Sequence, residues 1–180
     1  GVALTLPREP GGTALGEKLR DLLLATEGRI AAETEALLMF AARRQHLEEV
    51  IRPALVRGDW VLCDRFTDAT EAYQGGGRGV NAAAIRQLAR IAHPRLTPDL
   101  TFIFDAPAVV ASARVTGRGT GHDRIEAEAM EFFERVRQAY LAIAAREPGR
   151  VRVVDATRPE AEVAETVARA LDTALRDRGG

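Results

Sequence analysis

The chain has 180 residues, 46% of them hydrophobic and 28% charged, the balance of a globular protein large enough to bury a core. Its formal net charge of -1 gives no basic excess for polymeric nucleic acid, and no apolar run is long enough to span a membrane. Cys63 is the only cysteine, which excludes an internal disulfide, fits a reducing cytoplasm and reads as a small buried strand residue.

Val2 to Leu6 reads as a strand, stopped by the turn residues Arg8-Glu9-Pro10-Gly11-Gly12. A helix follows, capped by Thr13, with Leu15, Leu19, Leu22 and Leu23 recurring at helical spacing. A second helix is expected from Ala32 to Arg57, with Leu37, Leu38, Ala41, Val50, Ile51 and Leu55 as its apolar positions and a bend at Pro53. Trp60 to Cys63 reads as a short strand covered on both faces, ended by Asp64 and Arg65 and followed by a glycine-rich turn at Gly75 to Gly79. Asn81 caps a helix whose apolar side carries Ile85, Leu88 and Ile91. Leu100 to Phe104 is a third strand closed by Asp105, Pro107 opens a short helix, and Gly117 to His122 reads as a mobile lid. Asp123 with Glu126 marks a helix start, and Phe133, Val136, Tyr140 and Ile143 share one face of that helix. Val151 to Val154 is a fourth strand ending in Asp155, and a last helix runs from Glu160 to about Asp177. Short apolar strands alternating with longer helices predict an α/β doubly wound parallel sheet flanked by helices.

In such sheets ligands bind beyond the carboxyl ends of the strands. Three charged clusters fall there: Arg8 with Glu9, Asp64 with Arg65, and the loop bearing Arg114, Arg118 and Arg124. Lys18 is the only lysine against 24 arginines, and guanidinium groups grip phosphate with two prongs. These features point to an anionic ligand. Phe40, Arg43 and Arg44 lie close together on the second helix, where an aromatic or thioether surface beside a guanidinium could hold a flat base. The glycines Gly75 to Gly77 could cradle a phosphate, yet no Lys-Ser or Lys-Thr follows them, so they do not form a P-loop. His46, His93 and His122 are too scattered for a metal-ligand motif.

With these residues stand PREPGGT at Pro7 to Thr13, LMFAARRQH at Leu38 to His46, VLCDRFTDAT and AYQGGGRG within Val61 to Gly79, PDLTFIFD at Pro98 to Asp105, DRIE at Asp123 to Glu126 and VVDAT at Val153 to Thr157. In order and spacing, end to end, the chain resembles the thymidylate kinases, enzymes that move the terminal phosphate of ATP onto dTMP. The resemblance implies a P-loop nucleoside monophosphate kinase-like fold, one domain over residues 1–180 with a lid at residues 114–124. It also implies ATP with magnesium as phosphate donor, a homodimer formed through the helix that includes Leu47 to Leu55, and a cytoplasmic location.

By position, Arg65 and Arg20 match arginines at the acceptor phosphate, Arg8 joins the substrate-binding residues, and Asp64 and Glu9 match acids near the reacting phosphates and sugar. Arg43 matches the arginine that reads the thymine carbonyl, Met39 or Phe40 the side chain that covers the base, and Thr70 and Gln74 polar contacts to the nucleotide. Arg114 and Arg118 match the lid that closes on ATP, and Asp155 opens the loop beside adenine. No G-x-x-x-x-G-K-[ST] occurs in these residues. The expectation is therefore a fragment lacking a first βα unit of about 30 residues, and with it the central strand, and inactive by itself. The competing readings are a kinase for another nucleoside monophosphate and a non-catalytic nucleotide-binding protein.

Overall fold

In the computed structural model, which describes residues 3–25, 30–111 and 124–178, backbone packing groups the chain into two units, Gly1–Leu96 and Thr97–Gly180. In the first unit, β1 (Leu4–Thr5) pairs in parallel with β2 (Trp60–Val61), Leu4 opposite Trp60. Both strands are shorter than the apolar runs predict. Pro7 has no N–H to return a ladder bond, so regular pairing stops before it. The two segments nevertheless run on side by side: Leu62 N–H donates to Thr5 O, Asp64 N–H to Pro7 O and Glu9 N–H to Asp64 O, each at 3.0 Å. The expected cover on both faces is not found, since Leu62 is 61% exposed and Leu4 and Leu6 are exposed beside it.

Helix α1 (Ala14–Ala25) starts where Thr13 Oγ1 accepts the Gly16 N–H at 2.9 Å, as the sequence predicts. The second predicted helix is one helical run with a change of register: α2 (Ala32–His46), a π-helical turn (Leu47–Ile51) and α3 (Arg52–Val56). Pro53 sits at the start of α3, and the wider turn ahead of it absorbs the hydrogen bond that proline cannot make. The face this run buries is only partly the expected one, with Ile51 buried as predicted. Ala36, Phe40, Arg43, Leu47, Ile51 and Ala54 point inward, whereas Leu37 is 54% exposed and Leu55 is exposed as well.

A second helical run, α4 (Thr67–Thr70) with a π-helical continuation (Glu71–Gly77), replaces the turn expected from Gly75. A side chain at Gly75 would put its Cβ 3.1 Å from Ile85 Cδ1, so the glycine serves close packing between helices. The chain turns only at Gly79, which has φ +79°. Asn81 Oδ1 accepts the Ala83 N–H at 2.8 Å and starts α5 (Ala82–Ala92). Phe40, Val80, Ile85 and Ala92 form the core of this unit, with Leu88 and Ala89 packed against it. Ile91, expected on the same face, is 73% exposed because positions 85, 88, 89 and 92 complete the stripe without it.

In the second unit, β3 (Thr101–Asp105) and β4 (Val151–Asp155) pair in parallel, from Thr101 opposite Val151 to Asp105 opposite Asp155. Helices α6 (Arg124–Arg146) and α7 (Glu160–Arg178) pack against β4. Ile103, Ile143 and Val151 form the core, flanked by Tyr140 and Ala144, while Phe133 of the predicted face is exposed. Pro107 O accepts the Val110 and Ala111 N–H groups and opens the predicted helical turn. Both ladders are parallel and helices connect the strands, as a doubly wound α/β fold requires. The expected lid loop, with Asp123, lies outside the described residues.

Ile143→Ala should lower the unfolding free energy by about 2–5 kcal/mol in urea titrations, because a 1% exposed side chain leaves a cavity. Arg169→Ala, which removes an exposed pair with Glu165 and a long, exposed hydrogen bond to Thr166, should cost under about 0.5 kcal/mol. Equal effects would mean that the second core is not built on Ile143.

Candidate active site

The loop after β1 carries Arg8 to Thr13 across the end of β2, and the backbone bridge between Arg8 and Asp64 brings two of the three predicted clusters together. Arg8 is exposed and pairs with Glu17 at 3.2 Å. Glu17 Oε1 also accepts the Gly12 N–H at 2.8 Å. That backbone bond and then the Arg8 guanidinium hold the Glu17 carboxyl below the usual range. Arg20 of α1 donates to Pro10 O at 3.0 Å, so a second cation is held against the same loop. Glu17 was not among the sequence candidates, and its place one turn into α1 is the signal that could have found it.

Glu9 does not face solvent. Its Oε2 accepts Arg43 Nε at 2.5 Å and its Oε1 lies 3.1 Å from His46 Nδ1, with all three side chains buried. Arg43 further donates to Thr70 Oγ1 at 3.1 Å and, more weakly, to Thr67 Oγ1 at 3.5 Å. The guanidinium carbon lies 4.8 Å from the centre of the Phe40 ring and 5.0 Å from that of Phe66. Three of the five guanidinium N–H donors are thus committed, and the other two make no hydrogen bond among the described residues. His46, Thr67 and Phe66 were not among the site residues expected from the sequence, although His46 sits three residues after Arg43 on the same helical face.

Thr67 links Arg43 to a second histidine. His93 Nδ1 lies 2.9 Å from Leu96 O, which can only accept, so Nδ1 carries the hydrogen and Nε2 accepts the Thr67 hydroxyl at 2.6 Å. The imidazole packs against the Phe66 ring, with centroids 4.8 Å apart. Burial pushes its proton affinity below the ordinary histidine value, opposed by the bond to Leu96 O.

Gln74 is buried one helical turn beyond Thr70. Its Nε2 donates to Glu35 Oε1 at 2.9 Å, and because a carboxylate only accepts, the amide orientation is fixed. Gln74 Oε1 is then a buried acceptor with no partner among the described residues. Phe40 is committed to the core, whereas Met39 is half-buried.

At the end of β2, Asp64 and Arg65 are exposed. Arg65 has φ +69°, a left-handed backbone that a long side chain adopts only where its surroundings impose it. Cys63 Sγ donates to Arg65 O at 3.1 Å, and the Arg65 guanidinium lies 5.1 Å from the centre of the Tyr73 ring. Burial pushes the Cys63 thiol up to about 12, which leaves it a protonated donor at neutral pH, as expected of a structural cysteine.

In the second unit, Asp155 Oδ1 accepts the Thr157 N–H at 2.9 Å and its hydroxyl at 2.5 Å, shaping the loop after β4. Those bonds hold its carboxyl below the usual range. Arg114 and Arg118 lie outside the described residues.

The thymidylate kinase family profile matches residues 1–167. The chain belongs to the thymidylate kinase family. It is 53% identical over 173 residues to a thymidylate kinase of Alcanivorax borkumensis, covering 96% of this chain and 83% of that protein. It is 55% identical over 176 residues to one of Pseudomonas putida, covering 97% and 83%. A crystal structure of thymidylate kinase from Ehrlichia chaffeensis matches with a TM-score of 0.76 at 33% identity, over 93% of this chain and 81% of that one. The fold is therefore that of the thymidylate kinases, α/β with parallel strands between helices, as the sequence predicts.

In this thymidylate kinase family member, His93 also gives acid sensitivity. The unfolded chain takes up its proton near the ordinary value, whereas the folded chain resists until a lower pH. Its stability is therefore full above about pH 6.5 and is lost as pH falls through the depressed folded value. Urea midpoints should fall between pH 7.5 and pH 5.5, and His93→Gln, which cannot titrate there, should fall less. An identical decline in the variant would remove His93 as its source.

Proposed function

We propose that the chain catalyses phosphoryl transfer from ATP to dTMP, giving ADP and dTDP. The observation that carries this reading is the buried Arg43 guanidinium, bonded to Thr70 and with two donors uncommitted among the described residues, together with the buried acceptor Gln74 Oε1 one helical turn beyond Thr70, which has no partner among them either. A thymine edge presents an O4 acceptor next to an N3–H donor, which is the complement of that pair. Met39 would cover the base, since Phe40 is held in the core. Arg65 would grip the acceptor phosphate from the strained end of β2, with Arg8 and Arg20 adding positive charge from the neighbouring loop and α1.

The acceptor is already a phosphate oxygen, so the chain has little proton to remove. Its work is to align two anions and to neutralise the charge between them. Arg65 does this from the dTMP side, and Arg114 and Arg118 of the lid would do so from the ATP side. Magnesium arriving on ATP fits the exposed Asp64 carboxylate, which makes no ion pair among the described residues and is the oxygen ligand a hard cation takes. It would supply charge neutralisation at the donor phosphates. Asp155 would shape the loop beside adenine.

The two units would work as one kinase domain. No helix among the described residues is long and apolar enough to cross a membrane, and the reading is a cytoplasmic homodimer. Its interface would use the outward apolar positions of the α2–α3 run, Leu37, Leu55 and Val56.

Calorimetric titration of dTMP, dUMP and dCMP into the full-length protein tests the base reading. Cytosine opposes Arg43 with a donor and Gln74 with an acceptor, so dCMP should bind at least about 100-fold more weakly than dTMP. Only a methyl group separates dUMP, worth about 1–3 kcal/mol. Equal affinities for dTMP and dCMP would contradict the reading.

A further inference from the structure

We infer that His46 is a positioning residue for thymine recognition, acting through Glu9 on Arg43; this rests on the base reading above. Glu9 is a carboxylate with one oxygen on Arg43 Nε at 2.5 Å and the other 3.1 Å from His46 Nδ1. A carboxylate bound to a guanidinium can only accept, so the hydrogen of that second contact lies on His46 Nδ1. The imidazole has no freedom to do otherwise. His46 is 0% exposed, and a Cβ built at Gly12 would sit 2.8 Å from its Nε2, so the glycine turn is packed directly on the far edge of the ring. His46 Nε2 has no partner among the described residues, which leaves Nδ1 as the working atom of the ring.

The consequence reaches the base through two bonds. With both oxygens occupied, the Glu9 carboxylate has one orientation, and that orientation fixes the Nε edge of Arg43 while Thr70 fixes the NH2 corner. The remaining two N–H donors then have a fixed direction before any ligand arrives. Without His46, one oxygen of a buried anion lacks its donor, and Glu9 rotates or admits water to recover it. The guanidinium then loses its preset aim. The phosphate-binding cations Arg65, Arg8 and Arg20 lie on other bonds and keep theirs.

The decisive comparison measures dTMP, dCMP and 2-deoxyribose 5-phosphate binding by calorimetry to the full-length protein and its His46 variants. His46→Leu should weaken dTMP by roughly tenfold and shrink the preference over dCMP similarly, the effect of losing one hydrogen bond to a charged group. Binding of the base-free sugar phosphate should be unchanged, which a general loss of structure would not allow. His46→Asn, whose amide nitrogen reaches the Nδ1 position, should restore dTMP affinity. His46→Gln, whose nitrogen reaches only the Nε2 position, should not. Should His46→Leu fail to fold, the Asn and Gln variants decide between themselves. Unchanged selectivity in His46→Leu, an equal loss of dTMP and sugar phosphate, or equal behaviour of Asn and Gln would overturn the role of His46. A parent protein with no preference for dTMP over dCMP would bring down the base reading first, and this inference with it.

Discussion

The ion pair between Arg43 and Glu9 is the constraint on which the first unit depends. Two charges that are 1% and 2% exposed have left water, and removing either partner alone would cost about 3–5 kcal/mol by stranding the other. The pair survives burial because it is hydrogen-bonded on both sides: His46 meets the second oxygen of Glu9, and Thr70 and Thr67 take two further donors of the guanidinium. These contacts tie the loop after β1 to α2 and to the helical run from Thr67. The network thus acts as polar glue between three segments that share little apolar core.

That network also explains where the sequence was readable. Leu37, Leu38, Ala41, Val50, Ile51 and Leu55 predicted the apolar helix face, and hydrophobicity alone would turn all of them inward, yet Leu37, Ala41 and Leu55 are exposed. The chain turns Arg43 and His46 inward instead, because Glu9 arrives from the far side to neutralise them. A reading of one helix cannot contain a partner 34 residues away. Elements whose determinants are local came out well: the Thr13 and Asn81 caps, the four strand positions and the helix after Pro107. Gly75 was misread as a turn because its true reason, the nearness of Ile85, is again a tertiary one.

The site itself was legible as a set of positions and not as a set of roles. The motifs singled out Glu9, Arg43, Thr70 and Gln74, and the fold gathers the first three into one bonded cluster with Gln74 one helical turn further on. They could not say that Glu9 would be sealed from solvent with both oxygens committed. Nor could they foresee the left-handed backbone of Arg65, which is set by the bend at the end of β2 and held from Cys63. On the proposed reading the guanidinium of Arg43 is aimed in the folded chain by its bonds to Glu9 and Thr70, so that the ligand would not have to order it on binding.

The central claim is that Glu9 acts on the nucleotide only by aiming Arg43. The measurement that bears on it most directly is a double-mutant cycle in dTMP affinity, with Glu9→Gln, Arg43→Met and the two combined. If the claim holds, each single change weakens dTMP and the double variant binds no worse than Arg43→Met alone, because nothing remains for Glu9 to aim. Losses that add would show Glu9 meeting the nucleotide by itself, and would contradict the account.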